Sequence, residues 1–159
     1  MKKNKFIMFT LIILLIIFVS LFTRYNVPKD FEEINYGKNE VQQALIDLEF
    51  ETKYPSYLPS NFSMKSANIF IHNGNHQAIE FYGNLKEREG GIWLIASKLD
   101  FNWSEGIVWK SVEINNNVAS FSQQLESIIL KWQDENIYYR IEASSISKHE
   151  LIKIAESFQ

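Results

Sequence analysis

The sequence predicts an α+β domain: a curved antiparallel sheet of about six or seven strands with two helices packed on one face, preceded by one transmembrane helix. Three observations predict it. Apolar residues recur with period two through most of residues 62–141, interrupted at short intervals by turn-forming residues. Two stretches near 40–50 and 148–158 carry the 3.6-residue period instead. Residues 6–22 are apolar except for Thr10 and Ser20.

The run from Phe6 to Phe22, FIMFTLIILLIIFVSLF, is 17 residues long. As a helix it reaches about 26 Å, close to a hydrocarbon core of about 30 Å. Lys2, Lys3 and Lys5 precede it and only Arg24 and Lys29 follow closely, a bias that places the N-terminus inside. A cleaved signal peptide needs small residues at an A-x-A-like site, and around Ser20–Tyr25 the small residues alternate with Leu21, Phe22 and Arg24. The chain has no cysteine, which excludes a lipid-modified N-terminal cysteine. The expectation is a single-pass cell-membrane protein. Residues 1–5 form a short cytoplasmic segment, 6–23 an uncleaved signal-anchor, 24–38 a tether and 39–159 an extracytoplasmic domain.

The chain carries a net charge of −3, and without Lys2, Lys3 and Lys5 the remainder has 13 basic and 19 acidic residues, a net −6. Such a body is repelled by nucleic acid and by anionic headgroups. Without cysteine it gains nothing from disulfides and cannot build a thiolate metal site. Packing must hold it, and 14% aromatic residues supply the material.

In chain order, residues 24–38 read as polar tether, with Pro28 stopping the membrane helix. Asn39 is placed as an N-cap with Gln42 at capping-box spacing. Val41, Ala44, Leu45 and Leu48 share one helical face, predicting a helix over 40–50. Pro55 and Pro59 then impose an extended, turning segment whose Tyr54, Tyr57 and Leu58 close one end of the core. Ala67, Ile69 and Ile71 alternate, and Phe62 and Met64 are out of phase with them, which predicts a bulge near Lys65. Asn73-Gly74 is the strongest hairpin signal, with Ile79 and Phe81 pointing inward on the return strand. Residues 84–91 read as a charged loop. Ile92–Leu99 is nearly all apolar, as in a central strand covered on both faces. A loop over 100–106 follows. Further strands are expected at 109–114, 118–122, 127–133 and 137–141, turning at Asn115-Asn116-Asn117 and Asp134-Glu135-Asn136. Ser147 and Glu150 form a capping box, with Ile146 and Leu151 at the staple positions. Leu151, Ile154, Ala155 and Phe158 then make an apolar stripe.

Four stretches carry a resemblance: YPSYLPSNF at 54–62, SVEINNNVA at 111–119, LKWQDENIYYRI at 130–141 and SKHELIKIAESF at 147–158. With their spacing they resemble a family of uncharacterised extracytoplasmic domains, of unknown function, from membrane-anchored proteins of Gram-positive, often spore-forming, bacteria. Those proteins sometimes carry an anti-sigma-factor region, for which the five residues before the anchor leave no room. Relatives more often have glycine where Asn61 stands, and asparagine also tolerates positive φ. The resemblance implies a regulatory or envelope role and kinship with curved half-barrels that cradle lipid or lipoprotein. It brings no catalytic residues.

The residues themselves carry little chemistry. There is no G-x-S-x-G, no H-E-x-x-H and no P-loop. His72 and His76 flank the Asn-Gly turn, where two exposed histidines are the plain reading and a metal pair with Glu80 the sharper one. His149 reads as surface. Phe101, Trp103 and Trp109 could line a binding surface or fill the edge of the core. Trp109, beside a strand, leans to the core, and Trp103 to exposure. The expected function is non-enzymatic, without cofactor: a membrane-anchored domain that binds an envelope protein or lipid partner or senses envelope state, and does not bind nucleic acid. A lipid or lipoprotein carrier using a concave sheet face is the alternative, and an enzyme of unknown class the third.

Overall fold

Among the described residues, eight strands and two helices make up the domain. In the computed structural model, residues 31–86, 90–100 and 107–159 are described. The strands are β1 (Phe31–Gly37), β2 (Phe62–His72), β3 (Asn75–Leu85), β4 (Gly91–Ser97), β5 (Lys110–Ile114), β6 (Asn117–Gln123), β7 (Ile128–Asp134) and β8 (Ile137–Ala143). The helices are α1 (Val41–Asp47) and α2 (Lys148–Glu156). Every strand pairing is antiparallel, in the order β1-β2-β3-β4-β8-β7-β6-β5. Two four-stranded meanders are thus joined through β4 and β8. The predicted membrane run, with Phe6 and Phe22, lies outside the described residues. Among those residues no helix is long and apolar enough to cross a membrane.

The strand count exceeds the six or seven expected. The strand that sequence reasoning missed is β1, assigned to the tether because it is mostly exposed and polar. It adds to the sheet only at the edge, along β2, from Phe31 opposite His72 to Gly37 opposite Ser66. Its Tyr36 hydroxyl donates to Asp47 Oδ2 of α1 at 2.8 Å, tying strand to helix.

Turn chemistry sets the hairpins. Asn73 and Gly74 have φ of 51° and 73°, and Asn115 and Asn116 have 49° and 66°. Positive φ at both central residues matches the right-handed twist of the flanking strands. The second turn is therefore two residues long, with Asn117 already in β6. The expected bulge is present: the β2–β3 register shifts between Met64 and Ser66, so Lys65 is the extra residue and Phe62 and Met64 return to the core side. Asn61 is not among the residues with positive φ, so no glycine-like conformation is needed there.

Period-two alternation then builds one core. Ile69, Ile79, Ala96, Tyr139, Trp132 and Ala119 follow one another across the sheet in a single row. Ala67, Phe81, Leu94, Ile141, Leu130 and Phe121 form the next. All are buried. Both helices deliver their apolar stripes to this same cluster, α1 over β1 and β2, α2 over β5, β7 and β8. Phe158 meets Trp132 and Tyr139 edge-on, at 5.1 and 5.4 Å between ring centroids.

Each helix start follows its own chemistry. At α2, Ser147 Oγ accepts from the Glu150 N–H at 3.1 Å, as the capping box predicts. Glu150 does not complete the box; its carboxylate accepts from the Tyr57 hydroxyl. At α1 the expected Asn39 cap is not used. Glu40 precedes the helix, and its carboxylate accepts from the Gly37 N–H at 2.9 Å. The helix is also shorter than expected, since Leu48 is already extended. The segment 54–57 closes over the end of α2. Ser56 N–H donates to Ser157 O at 3.0 Å, Pro55 bridges to Phe158, and Lys153 Nζ lies 3.8 Å above the Tyr57 ring.

Candidate functional site

The side chains that alternate with the core rows point to the other face of the sheet. One cross-strand row there runs Glu80, Ile95, Arg140, Lys131, Ser120. The next runs Tyr82, Trp93, Glu142, Ile129, Ser122. Both helices lie on the opposite side, yet none of these ten residues is fully exposed. Aromatic contact explains part of this, since the Tyr82 and Trp93 rings pack 4.7 Å apart. β4 is thus fully buried on the helix side and half-buried at Trp93 and Ile95 on the other.

A cavity of about 190 Å³ opens on this face over β6, β7 and β8. Ser120, Lys131, Gln133, Tyr138 and Arg140 line it, with Asp100 and Val118 at its exposed rim. Arg140 donates to Glu142 Oε2 at 2.5 Å and its side chain is 14% exposed. Lys131 sits directly opposite Arg140 in the ladder. Its ammonium lies 4.5 Å from the centroid of the Trp109 ring. Of the residues predicted for a binding surface, Phe101 and Trp103 lie outside the described residues. Trp109 packs half-buried beside the cavity under Lys131, outside the core cluster. Its indole Nε1 is buried, with no hydrogen-bond partner among the described residues. Further along the face, Glu80 is half-buried; burial first, and Glu33 second, push its carboxyl above the usual carboxylate range.

Sequence reasoning missed Lys131 and Arg140, although their strands were expected. The signal was the spacing of Lys131, Asp134-Glu135-Asn136 and Arg140 around one turn, which sets the two cations opposite each other.

The histidines part company. His72 stays at the hairpin, beside the Phe31 ring and the Asn73 side chain. His76 is buried, which corrects the reading of two exposed histidines. The cause is a second register shift: Phe70 pairs with Ala78 and Ile71 with His76, leaving Gln77 as the extra residue and turning His76 inward. Its Nδ1 accepts from the Glu49 N–H at 3.3 Å, so His76 satisfies the backbone just past α1. His149 is exposed, as expected. Among the described residues no three His, Asp or Glu side chains gather as a metal site. On the helix-covered side, a second opening of about 630 Å³ lies between Leu45, Leu48, Phe50, Tyr54 and Gln159. There burial pushes the Tyr54 hydroxyl up to about 12.

No curated protein and no solved structure matches this chain. A protein-family comparison matches residues 52–158, from just after α1 to the end of the α2 stripe, to the domain of unknown function DUF4367. That segment contains β2–β8, α2 and every residue of the 190 Å³ cavity, while β1 and α1 precede it. The match spans most of the chain, and the protein belongs to the DUF4367 family.

Proposed function

We propose that this is a non-enzymatic, membrane-anchored binding or envelope-sensing domain held outside the cell by residues 6–23. The anchoring rests on the 17-residue apolar run and the lysines that precede it. One observation carries the binding half of the reading. The sheet face away from the helices combines half-buried aromatics with two adjacent cations around a small cavity of mixed polar and apolar lining. Small-molecule sites take this form, concave with a few placed polar groups. A carrier using the helix-covered face gains less support, because α1, α2 and the core cluster occupy that side.

The absence of cysteine makes the test simple. Gln124→Cys, at an exposed position, should react with a membrane-impermeant maleimide on intact spheroplasts, and Asn4→Cys only after lysis. The opposite pattern overturns the orientation. A mature protein that begins near residue 24 overturns the anchor.

A further inference from the structure

We infer that the cavity over β6, β7 and β8 is a site for a small hydroxylated oxyanion, a phosphate or carboxylate group carrying an alcohol. The inference rests on the binding reading above and names its ligand class. Lys131 and Arg140 are direct cross-strand neighbours on one face. Like charges placed opposite each other destabilise a sheet pair. In a chain with more acidic than basic residues, two such cations beside one cavity need a reason. Glu142 answers for Arg140. Lys131 makes no ion pair among the described residues; its contact is the face of Trp109. That ring holds the ammonium by cation–π attraction, leaving its N–H donors to turn toward an incoming anion.

The rest of the lining suits the remainder of such a ligand. Ser120, Gln133 and Tyr138 supply hydroxyl and amide groups that both donate and accept, and the Asp100 carboxylate at the rim accepts from an alcohol. Arg140, held by Glu142, adds positive charge to the cavity wall. The cavity volume of about 190 Å³ equals about six waters at roughly 30 Å³ each. That is room for one phosphate or carboxylate with a short polyol. The net negative body disfavours an anionic bilayer as the source, so the oxyanion belongs to a soluble metabolite or a polymer.

The test is calorimetric titration of the full-length protein in neutral nanodiscs with glycerol phosphate, glycerate, inorganic phosphate and glycerol. Saturable binding of glycerol phosphate or glycerate, at least tenfold tighter than either inorganic phosphate or glycerol, is expected. Lys131→Gln should weaken it at least tenfold and Tyr138→Phe about threefold. Lys98→Gln, on the far side of the sheet over Phe50, should leave it unchanged. Each variant is first checked for an unaltered melting midpoint, and Lys131→Arg should restore binding if Lys131→Gln fails to fold. Nanodiscs with phosphatidylglycerol should compete less than twofold; stronger competition would assign the site to headgroups and overturn the soluble source. Absence of saturable binding up to 10 mM (about 2.7 kcal/mol), or unchanged affinity in Lys131→Gln, overturns the site. The labelling experiment above stands or falls independently of either result.

Discussion

Removing the Leu151 side chain tests whether α2 is a keystone of the domain or an appended helix. Leu151 is 0% exposed and belongs to the cluster formed by both meanders. Truncating a fully buried leucine to alanine costs about 2.7–5 kcal/mol, the spread reflecting how far the site collapses. Here the surroundings are fixed. The helix start is capped by Ser147, and its far end is held by Ser56 and Tyr57 against Ser157, which limits collapse and favours a loss of about 3–4 kcal/mol. The folded unit Phe31–Gln159 should have an unfolding entropy of about 0.27 kcal/mol/K, from about 2.1 cal/mol/K per residue. Leu151→Ala should then lower the melting midpoint by about 11–15 °C. Thermal unfolding of the full-length protein, followed by tryptophan fluorescence, measures this. Glu156→Ala, on the exposed side of the same helix, is the control and should move it by under about 2 °C. A shift below about 3 °C for Leu151→Ala, with a single cooperative transition, would refute the keystone argument.

Other expectations follow from single contacts. A Cβ at Gly83 would stand 2.3 Å from Phe62 Cζ and 2.7 Å from Ser63 O, so Gly83→Ala should cost about 1–3 kcal/mol by urea denaturation. Tyr57→Phe removes the hydroxyl bound by Glu150 but keeps the ring under Lys153, and should cost about 1–2 kcal/mol in the same assay. Tyr54 holds its proton to about pH 12, so its stabilising contribution is complete below a tyrosine's ordinary value of 10.0 and is lost as pH rises between the two. Alkaline difference spectra of Tyr54→Phe should lack the latest-titrating tyrosine, and an unchanged curve would refute the assignment. The Glu80 carboxyl is likewise raised, so the stability it contributes is present at low pH and falls as pH rises through its raised value. Glu80→Gln should therefore flatten the pH–stability profile in mildly acid solution and be at least as stable as the parent at neutral pH; a steeper profile would contradict this.

Local chemistry made the hairpins legible, because an Asn-Gly or Asn-Asn pair supplies positive φ whatever surrounds it. The same holds for the α2 cap, where Ser147 needs only a free N–H nearby. The features that escaped prediction depend on partners distant in sequence. β1 shows alternation only at Ile34 and Tyr36, and β2 on one side and α1 over Tyr36 make it a strand. His76 sits inward because one extra residue, Gln77, shifts the phase of β3, and the composition around it is no different from that of an exposed turn. Asn39 and Gln42 fit a cap, but Glu40 takes the N-cap position without a side-chain cap bond, and its carboxylate accepts from the Gly37 N–H. The cation pair depended on register, which a turn of Glu135 at φ 53° fixes to the residue.

The join between the two meanders has a kinetic meaning. Within each meander most strand pairs are neighbours in sequence, so their contacts close short loops and form early. The β4–β8 seam is different, for it sets Leu94 against Ile141 across the whole of the second meander. Closing that loop is the entropic hurdle of the fold, and strand order makes it the step that turns two halves into one core. Substitutions that weaken the seam should slow folding, and those at the sheet margins, such as β1, should mainly speed unfolding. The same topology sets the time at which the 190 Å³ cavity appears. Val118 and Ser120 of β6 and Lys131 and Gln133 of β7 can assemble as a local hairpin, and Arg140 and Tyr138 complete the wall only when β8 docks. The second meander alone brings these residues together.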